Sequence, residues 1–296
     1  MNTKDPMASA LLLLMSAAMG STFVFNKLAL TGLDAASTGA WRLIVCAVAL
    51  VILSFALGQG LPRELKHWGW SAVIGLSGFV LPFYSLAWAQ QFVPSGTAAI
   101  YFASIPLVML MFSLMILRVN VTLRKWLGIS IGCIGLVLLA GPGSLDSITG
   151  SSAVLPQAAM IVCCLSLASA GILIRLAPRV HPLSMTGAAA LIAGLISSPV
   201  VYFNLPVTMP GATAIIGVLG VGLIATALAQ FLRFFLIRRK GPVFIVPNGF
   251  YTPAFGVLYG WIFLGEQIAI AALIALEIMV LGVVIGSAGS GAMKQV

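Results

Sequence analysis

The sequence predicts an all-α integral membrane protein of ten transmembrane helices, arranged as two inverted five-helix repeats with both termini cytoplasmic. Three observations predict it. The first is composition: 61% of the 296 residues are hydrophobic, 7% are charged, and the mean hydropathy is +1.14. Soluble domains carry roughly 25% charged residues, so a soluble fold is excluded. The second is an internal repeat. Shifted by 147 to 148 residues, Lys27 falls on Arg175, Gly39 on Gly187, Pro106 on Pro253, Leu117 on Leu264 and Gly135 on Gly282. Each half, 1–145 and 146–296, holds five membrane-length apolar stretches, an odd number, so the second half crosses in the opposite sense. Inverted repeats of this kind are a transporter architecture.

The third observation is where the charge falls. With an inside N-terminus, Lys4, Arg63, Lys66, Arg118, Arg124, Lys125, Arg179, Arg238, Arg239, Lys240 and Lys294 lie on one side, whereas the opposite loops carry Asp34, Asp146 and Glu266. This is the positive-inside pattern, and it accounts for the +9 net charge without nucleic acid as a partner. The lipid bilayer and a small-molecule substrate are the partners expected. The expected location is the cytoplasmic (inner) membrane.

A spanning helix needs about 20 apolar residues, which places spans near 8–31, 36–57, 68–90, 95–117, 124–142, 153–176, 182–203, 212–236, 242–263 and 268–288. The first contains Ser16-Ala17-Ala18-Met19-Gly20, similar to a signal-peptidase site, but its apolar run continues through Phe23-Val24-Phe25 and is read as a retained span. Thr22 and Asn26 stand one turn apart on it. The second opens with Arg42. In the third, Ser77, Tyr84, Trp88 and Gln91 follow helical spacing, and in the fourth Thr97, Tyr101 and Ser104 share a face. The eighth carries Thr226, Gln230 and Arg233, and the ninth Asn248, Tyr251, Thr252 and Tyr259. Polar groups in hydrocarbon are costly, so these stripes either line a partly aqueous pathway or hydrogen-bond between helices. The fifth and tenth spans are nearly bare of them, and Gly128/Gly132 and Gly282/Gly286 give those two small-residue faces for close packing. Pro82, Pro106, Pro199, Pro247 and Pro253 fall within the expected spans as hinges or fixed kinks.

Five charged positions are singled out. Arg175 and Arg233 lie near cytoplasmic ends, where their heads are expected to snorkel to the interface. Lys27 and Arg42 flank an outward loop on the side otherwise poor in positive charge. They either attract a carboxylate or, for Lys27, pair with Asp34. Glu277, midway along the tenth span, is the acidic residue deep in hydrocarbon. It is read either as a proton-coupling carboxylate or as a protonated or packing-paired one.

Chemistry of other kinds finds little support. Cys46, Cys133, Cys163 and Cys164 lie inside spans without zinc-ligand spacing, so no metal and no structural disulfide are expected, and no cofactor. No phosphate-loop motif is present for a nucleotide. Gly75-Leu76-Ser77-Gly78 matches the pattern around the nucleophile of rhomboid-type membrane proteases, but the serine needs a nearby base, and His67 and His181 both sit at span ends. Close helix packing is the favoured reading, with an intramembrane hydrolase as the competing class.

Gly20-Ser21 with Phe23 and Lys27, Arg42 opening the second span, Pro106 in the fourth, and Pro253 followed by Phe263-Leu264-Gly265-Glu266 together resemble the ten-helix EamA-type branch of the drug/metabolite transporter superfamily. The resemblance covers essentially the whole chain. One departure is that Arg118-Val119 stand where the family often has Gly-Glu after the fourth span. The resemblance implies alternating access around a site between spans 1–4 and 6–9, with spans 5 and 10 outside it. Within the family the chain looks most like YddG-type exporters of aromatic amino acids. Tyr84, Trp88, Tyr101 and Tyr251 suit ring stacking, and Lys27 and Arg42 suit a carboxylate. A multidrug exporter and a metabolite importer of the same fold are the alternatives. Direction, proton coupling and oligomeric state are left open by the sequence, and a monomer is compatible with it.

Overall fold

The computed structural model describes residues 5–89, 92, 95–118, 121–140, 154–204, 209–265 and 270–287, and among them all regular structure is helical. The α-helices are α1 Pro6–Gly20, α2 Thr22–Ala29, α3 Ala35–Ala56, α4 Leu65–Gly75, α5 Leu81–Ala89, α6 Ser95–Leu117, α7 Leu123–Ala140, α8 Val154–Leu176, α9 Pro182–Phe203, α10 Ala212–Gly222, α11 Ala229–Lys240, α12 Asn248–Leu264 and α13 Ile270–Ser287. A π turn at Leu76–Val80 joins α4 to α5, and another at Leu223–Leu228 joins α10 to α11. The rod of α1 and α2 is interrupted at Ser21, whose hydroxyl donates back to the Ala18 carbonyl at 2.7 Å.

Six described stretches are long and apolar enough to cross a bilayer: Pro6–Ala29, Ala35–Ala56, Leu65–Leu86, Val154–Leu176, Pro182–Phe203 and Ala212–Lys240. Ser104–Leu117 and Ile274–Gly286 add shorter apolar helical stretches. The outer faces are what hydrocarbon would cover. Ile52, Phe55 and Leu195 are each about 60% exposed, while Leu43, Leu50, Ala190 and Ala193 on the same two helices are enclosed.

Helix ends follow local chemistry. Asp5 caps α1 by accepting from the Ala8 N–H at 3.1 Å, with Pro6 at the first helical position. Asp34 caps α3 by accepting from the Ser37 N–H at 2.8 Å and hydroxyl at 2.7 Å. Burial pushes the Asp34 carboxyl up, but these bonds outweigh it and hold the group below the ordinary range. Its carboxylate is therefore engaged at the start of α3 by Ser37. Lys240 meets Asp5 at 2.6 Å, bringing the start of α1 beside the end of α11. That hydrogen bond, with the Ala8 N–H, lowers the Asp5 carboxyl.

Arg175 and Arg238 cap each other's helices. Arg238 donates to the carbonyls of Ile174 (3.2 Å) in the last turn of α8 and of Ala177 (2.5 Å) and Pro178 (2.5 Å) just beyond it. Arg175 donates to the Arg238 carbonyl at 2.9 Å. Terminal carbonyls lack intrahelical partners and carry the negative end of the helix dipole, so both guanidiniums are placed where they stabilise most. Arg175 is thus a helix cap and not simply a snorkelling side chain.

Packing is extensive in a paired pattern: α7 with α13, α3 with α9, α6 with α8, α1 with α12, α5 with α8, and α2 with α10. The small-residue faces of α7 and α13 meet each other. A Cβ on Gly282 would stand 2.5 Å from the Gly128 carbonyl oxygen and 2.6 Å from the Gly132 nitrogen, and a Cβ on Gly128 would stand 2.5 Å from the Gly286 nitrogen. These faces are consumed within one chain.

The expected ninth span begins later than its hydropathy suggests. Gly241 ends α11 at φ +87°, Pro242–Ile245 form a 3-10 turn, and Pro247 stands just before α12. Pro247 therefore starts a helix and does not kink one, because its missing N–H is harmless there. Pro106, Pro199 and Pro253 do lie inside helices.

Candidate functional site

The two π turns begin at Leu76 and Leu223, separated by the same 147 residues as the sequence repeat. The first has a chemical cause. In a regular helix the N–H of residue 82 would bond to the carbonyl of residue 78, but Pro82 has none, and the Leu81 N–H reaches back five residues to Leu76. The orphaned Gly78 carbonyl instead accepts from Gln230 Nε2 at 3.0 Å, and Gln230 is only 6% exposed. In the second π turn the Thr226 hydroxyl donates to the Val221 carbonyl, five residues back, at 2.6 Å. Each turn thus depends on a side chain to satisfy its freed backbone, as a buried polar group must be.

Arg42 of α3 lies against the second turn. Its Nε donates to Thr226 Oγ1 at 2.6 Å, and its guanidinium carbon sits 4.2 Å from the centre of the Phe83 ring, a cation–π contact. Its two terminal nitrogens have no protein hydrogen bond among the described residues, yet they are not sealed off. None of the described carboxylates pairs with it: Asp5 pairs with Lys240, Asp34 caps α3, Glu64 lies 3.8 Å from His67, and Glu277 is exposed on α13. An arginine within a membrane helix costs about 2.5–3.5 kcal/mol by insertion scales, a cost of the same order as one charge-assisted hydrogen bond with one ring contact.

Arg233 has a different environment. It is 6% exposed and donates to the Leu167 carbonyl of α8 at 2.6 Å. The expectation that it snorkels fails because α11 runs on to Lys240, leaving Arg233 about two turns inside the helix end.

The other expected residues fall into separate groups. Asn248 and Thr252 join Ser16 of α1: Ser16 Oγ is 2.9 Å from Asn248 Oδ1 and 2.8 Å from the Leu12 carbonyl, so its single proton serves one at a time. Thr252 donates to Asn248 Oδ1 at 3.2 Å, and Asn248 Nδ2 meets Met19 Sδ at 3.4 Å. Ser104 donates to the Tyr101 carbonyl at 2.6 Å, which also accepts from Cys164 of α8 at 3.3 Å. Tyr84 and Tyr251 are partly buried against the main core. The Tyr84 hydroxyl is near Ser197, but Ser197 gives its own proton to the Ala193 carbonyl at 2.8 Å, and the buried Tyr84 hydroxyl is left without a hydrogen bond of good geometry. Trp88, 42% exposed, packs on Phe92 with ring centres 5.3 Å apart. Thr22 and Asn26 are half-buried, and Lys27 is exposed in the last turn of α2. The side chains of Gln91 and Thr97 lie outside the described residues.

Glu277 sits on the exposed face of α13, whereas Ala275, Met279, Gly282 and Val283 form the face buried on α7. It is away from the crossing that holds Arg42. Ser77 lies in the first π turn and donates to the Val73 carbonyl at 2.7 Å. Gly75 and Gly78 flank it against Ala189 and Ala170, which is the helix-packing reading of that motif. His181 accepts from the Leu183 N–H at 3.3 Å as the cap of α9.

Phe83, Ser16 and Thr38 take part in or beside these groups without having been singled out by sequence. Phe83 is apolar and carries no signal of its contact with a guanidinium. Thr38 stands one turn before Arg42 on α3, its hydroxyl buried without a partner, and helical spacing from Arg42 was a usable clue.

The structure thus holds an arginine against one π turn inside a bundle of apolar helices, and comparison with known proteins gives the class of protein. The sequence model of the EamA-like transporter family matches twice, over residues 6–141 and 156–287, and the chain belongs to that family. It is 24% identical over 292 residues to the uncharacterized inner membrane transporter YedA of Escherichia coli (strain K12), covering 91% of this chain and 87% of that one. It is 27% identical over 223 residues to protein PecM of Dickeya dadantii (strain 3937), covering 74% and 73%. A solved crystal structure superposes with a TM-score of 0.82 at 16% identity, over 96% of this chain and 98% of the other, a likeness of fold. The protein is an integral membrane transporter of the drug/metabolite transporter superfamily.

Proposed function

We propose that this transporter is a secondary carrier of the cytoplasmic (inner) membrane that exports amino acids, aromatic ones among them, by alternating access. It does so through ten spans in two inverted halves, 1–145 and 146–296, with both termini cytoplasmic. The matched π turns, the reciprocal helix pairing and the double family match all support two related halves. The observation that carries the substrate class is Arg42, a cation in the bundle whose terminal nitrogens meet no described carboxylate and whose face lies on Phe83. A substrate carboxylate completes such a site with charge-assisted hydrogen bonds. An aromatic side chain finds partners in Tyr84, Trp88, Tyr101 and Tyr251, and Thr22, Asn26, Lys27, Ser104, Gln230, Asn248 and Thr252 supply polar lining.

Competition in proteoliposomes tests the substrate class. Uptake of labelled phenylalanine is expected to be inhibited by unlabelled tryptophan, tyrosine and 3-phenylpropionate, and at least tenfold less by phenethylamine, which lacks the carboxylate. Equal inhibition by phenethylamine, or inhibition by lipophilic cations alone, would replace this reading with a multidrug one.

A further inference from the structure

We propose that Thr226 is a positioning residue: held in the π turn Leu223–Leu228, its hydroxyl fixes Arg42 through Nε, so that the two terminal nitrogens face a transported carboxylate as a fork. The inference rests on the reading of Arg42 as the carboxylate site. A guanidinium is a rigid planar group, and its outer edge matches a carboxylate with two parallel hydrogen bonds only when its plane and rotation are both set. Here two contacts set them. Phe83 lies under the face, with 4.2 Å from ring centre to guanidinium carbon, and Thr226 holds the inner edge at 2.6 Å. The remaining edge is left to the substrate.

The direction of the Thr226 hydroxyl follows from the π turn. A hydroxyl can donate or accept, and only an accepting oxygen suits Nε–H. The Thr226 proton is committed to the Val221 carbonyl at 2.6 Å, five residues back, so its lone pairs are turned to Arg42. Thr226 is 1% exposed, and water therefore does not compete for the contact.

The fold does not require this pair. At the repeat offset of 147 residues, the first π turn, Leu76–Val80, places Phe79 where Thr226 stands, and Ala189 of α9 occupies the place of Arg42. The two crossings are built alike, since a Cβ on Gly75 would meet the Ala189 carbonyl oxygen at 2.7 Å and one on Gly222 would meet the Arg42 carbonyl oxygen at 3.4 Å. Phe79 and Ala189 are both fully buried. An apolar pair therefore suffices for the architecture, and the polar pair is an addition to one half.

The test is the kinetics of phenylalanine uptake in proteoliposomes, with rates normalised to reconstituted protein. Thr226→Val is expected to raise KM about tenfold, the scale of one charge-assisted hydrogen bond, with kcat changed less than about twofold, and Thr226→Ser is expected to restore the wild-type KM. Inhibition by 3-phenylpropionate should weaken in parallel while that by phenethylamine does not. Phe83→Leu removes the face contact without touching the π turn and should raise KM roughly threefold; it decides the matter if Thr226→Val fails to fold, and an unchanged KM there then overturns the proposal. A wild-type KM in Thr226→Val beside a raised KM in Arg42→Met overturns the positioning role and leaves the carboxylate site standing. A wild-type KM in Arg42→Met overturns the carboxylate site itself.

Discussion

Arg42 and Glu277 are both charged groups in apolar helices, and their surroundings differ in kind. Arg42 is turned into the bundle, onto Phe83 and Thr226, while Glu277 lies on the face of α13 opposite the one buried against α7. A carboxylate that couples protons to transport has to sense which face of the carrier is open, and an outward-facing one on α13 is badly placed to do so. Glu277→Gln is therefore expected to leave the pH dependence of uptake unchanged between pH 5 and 8. A profile displaced by more than about half a pH unit would return Glu277 to the mechanism. Arg42 itself was visible in the sequence as a cation on the wrong side of the charge pattern. Its partners were not, because Phe83 is apolar and Thr226 is 184 positions away along the chain. The same limit applied to Asn248, whose bond to Ser16 spans 232 positions.

At the scale of elements, the start of α3 and the end of α12 fall within a residue of the spans expected from apolar run length, and Asp34 and Gly265 stand at those two ends. Gly265 takes φ +64° after α12, and Arg118, its counterpart at the repeat offset, takes φ +50° after α6. The backbone conformation that the family's glycine serves is thus kept by an arginine, at a cost of about 1–2 kcal/mol. The π turns were not legible, since hydropathy has the same form with or without one extra residue in a turn; Pro82 was noted as a kink, but the Gly78 carbonyl that it orphans is met by Gln230, 152 positions away along the chain. Nor was the late start of α12, because Pro242–Ile245 are as apolar as the helix that follows. The glycines of α7 and α13 marked both helices for close packing, but that their faces meet each other is seen only in the fold. Gly282→Val is expected to lower stability in detergent by about 3 kcal/mol or more, since overpacking costs roughly 1–3 kcal/mol where neighbours can yield and here the added carbon meets backbone at 2.5 Å. Thermal unfolding of the purified protein checks this, and a melting temperature within about 2 °C of wild type would show that the two helices separate easily.

For the molecule as a whole, a chain written twice yields two sets of helices that exchange roles. The first rod packs on α12 as α6 packs on α8, and α1 packs on α11 as α8 packs on α5. In the proposed reading the two halves are inverted, and such symmetry would give the carrier two conformations of similar energy, one the inverse of the other, as alternating access requires. The Arg42 and Thr226 pair breaks the symmetry at one crossing, and substrate recognition is assigned to that break. Counterflow tests the central claim most directly. Proteoliposomes loaded with unlabelled amino acids and diluted into trace labelled phenylalanine, with no ion or voltage gradient, should accumulate label transiently above its equilibrium level and then lose it. That overshoot arises only when one site is exposed to the two sides in turn. Its absence for every amino acid tried, with protein demonstrably reconstituted, would contradict the account.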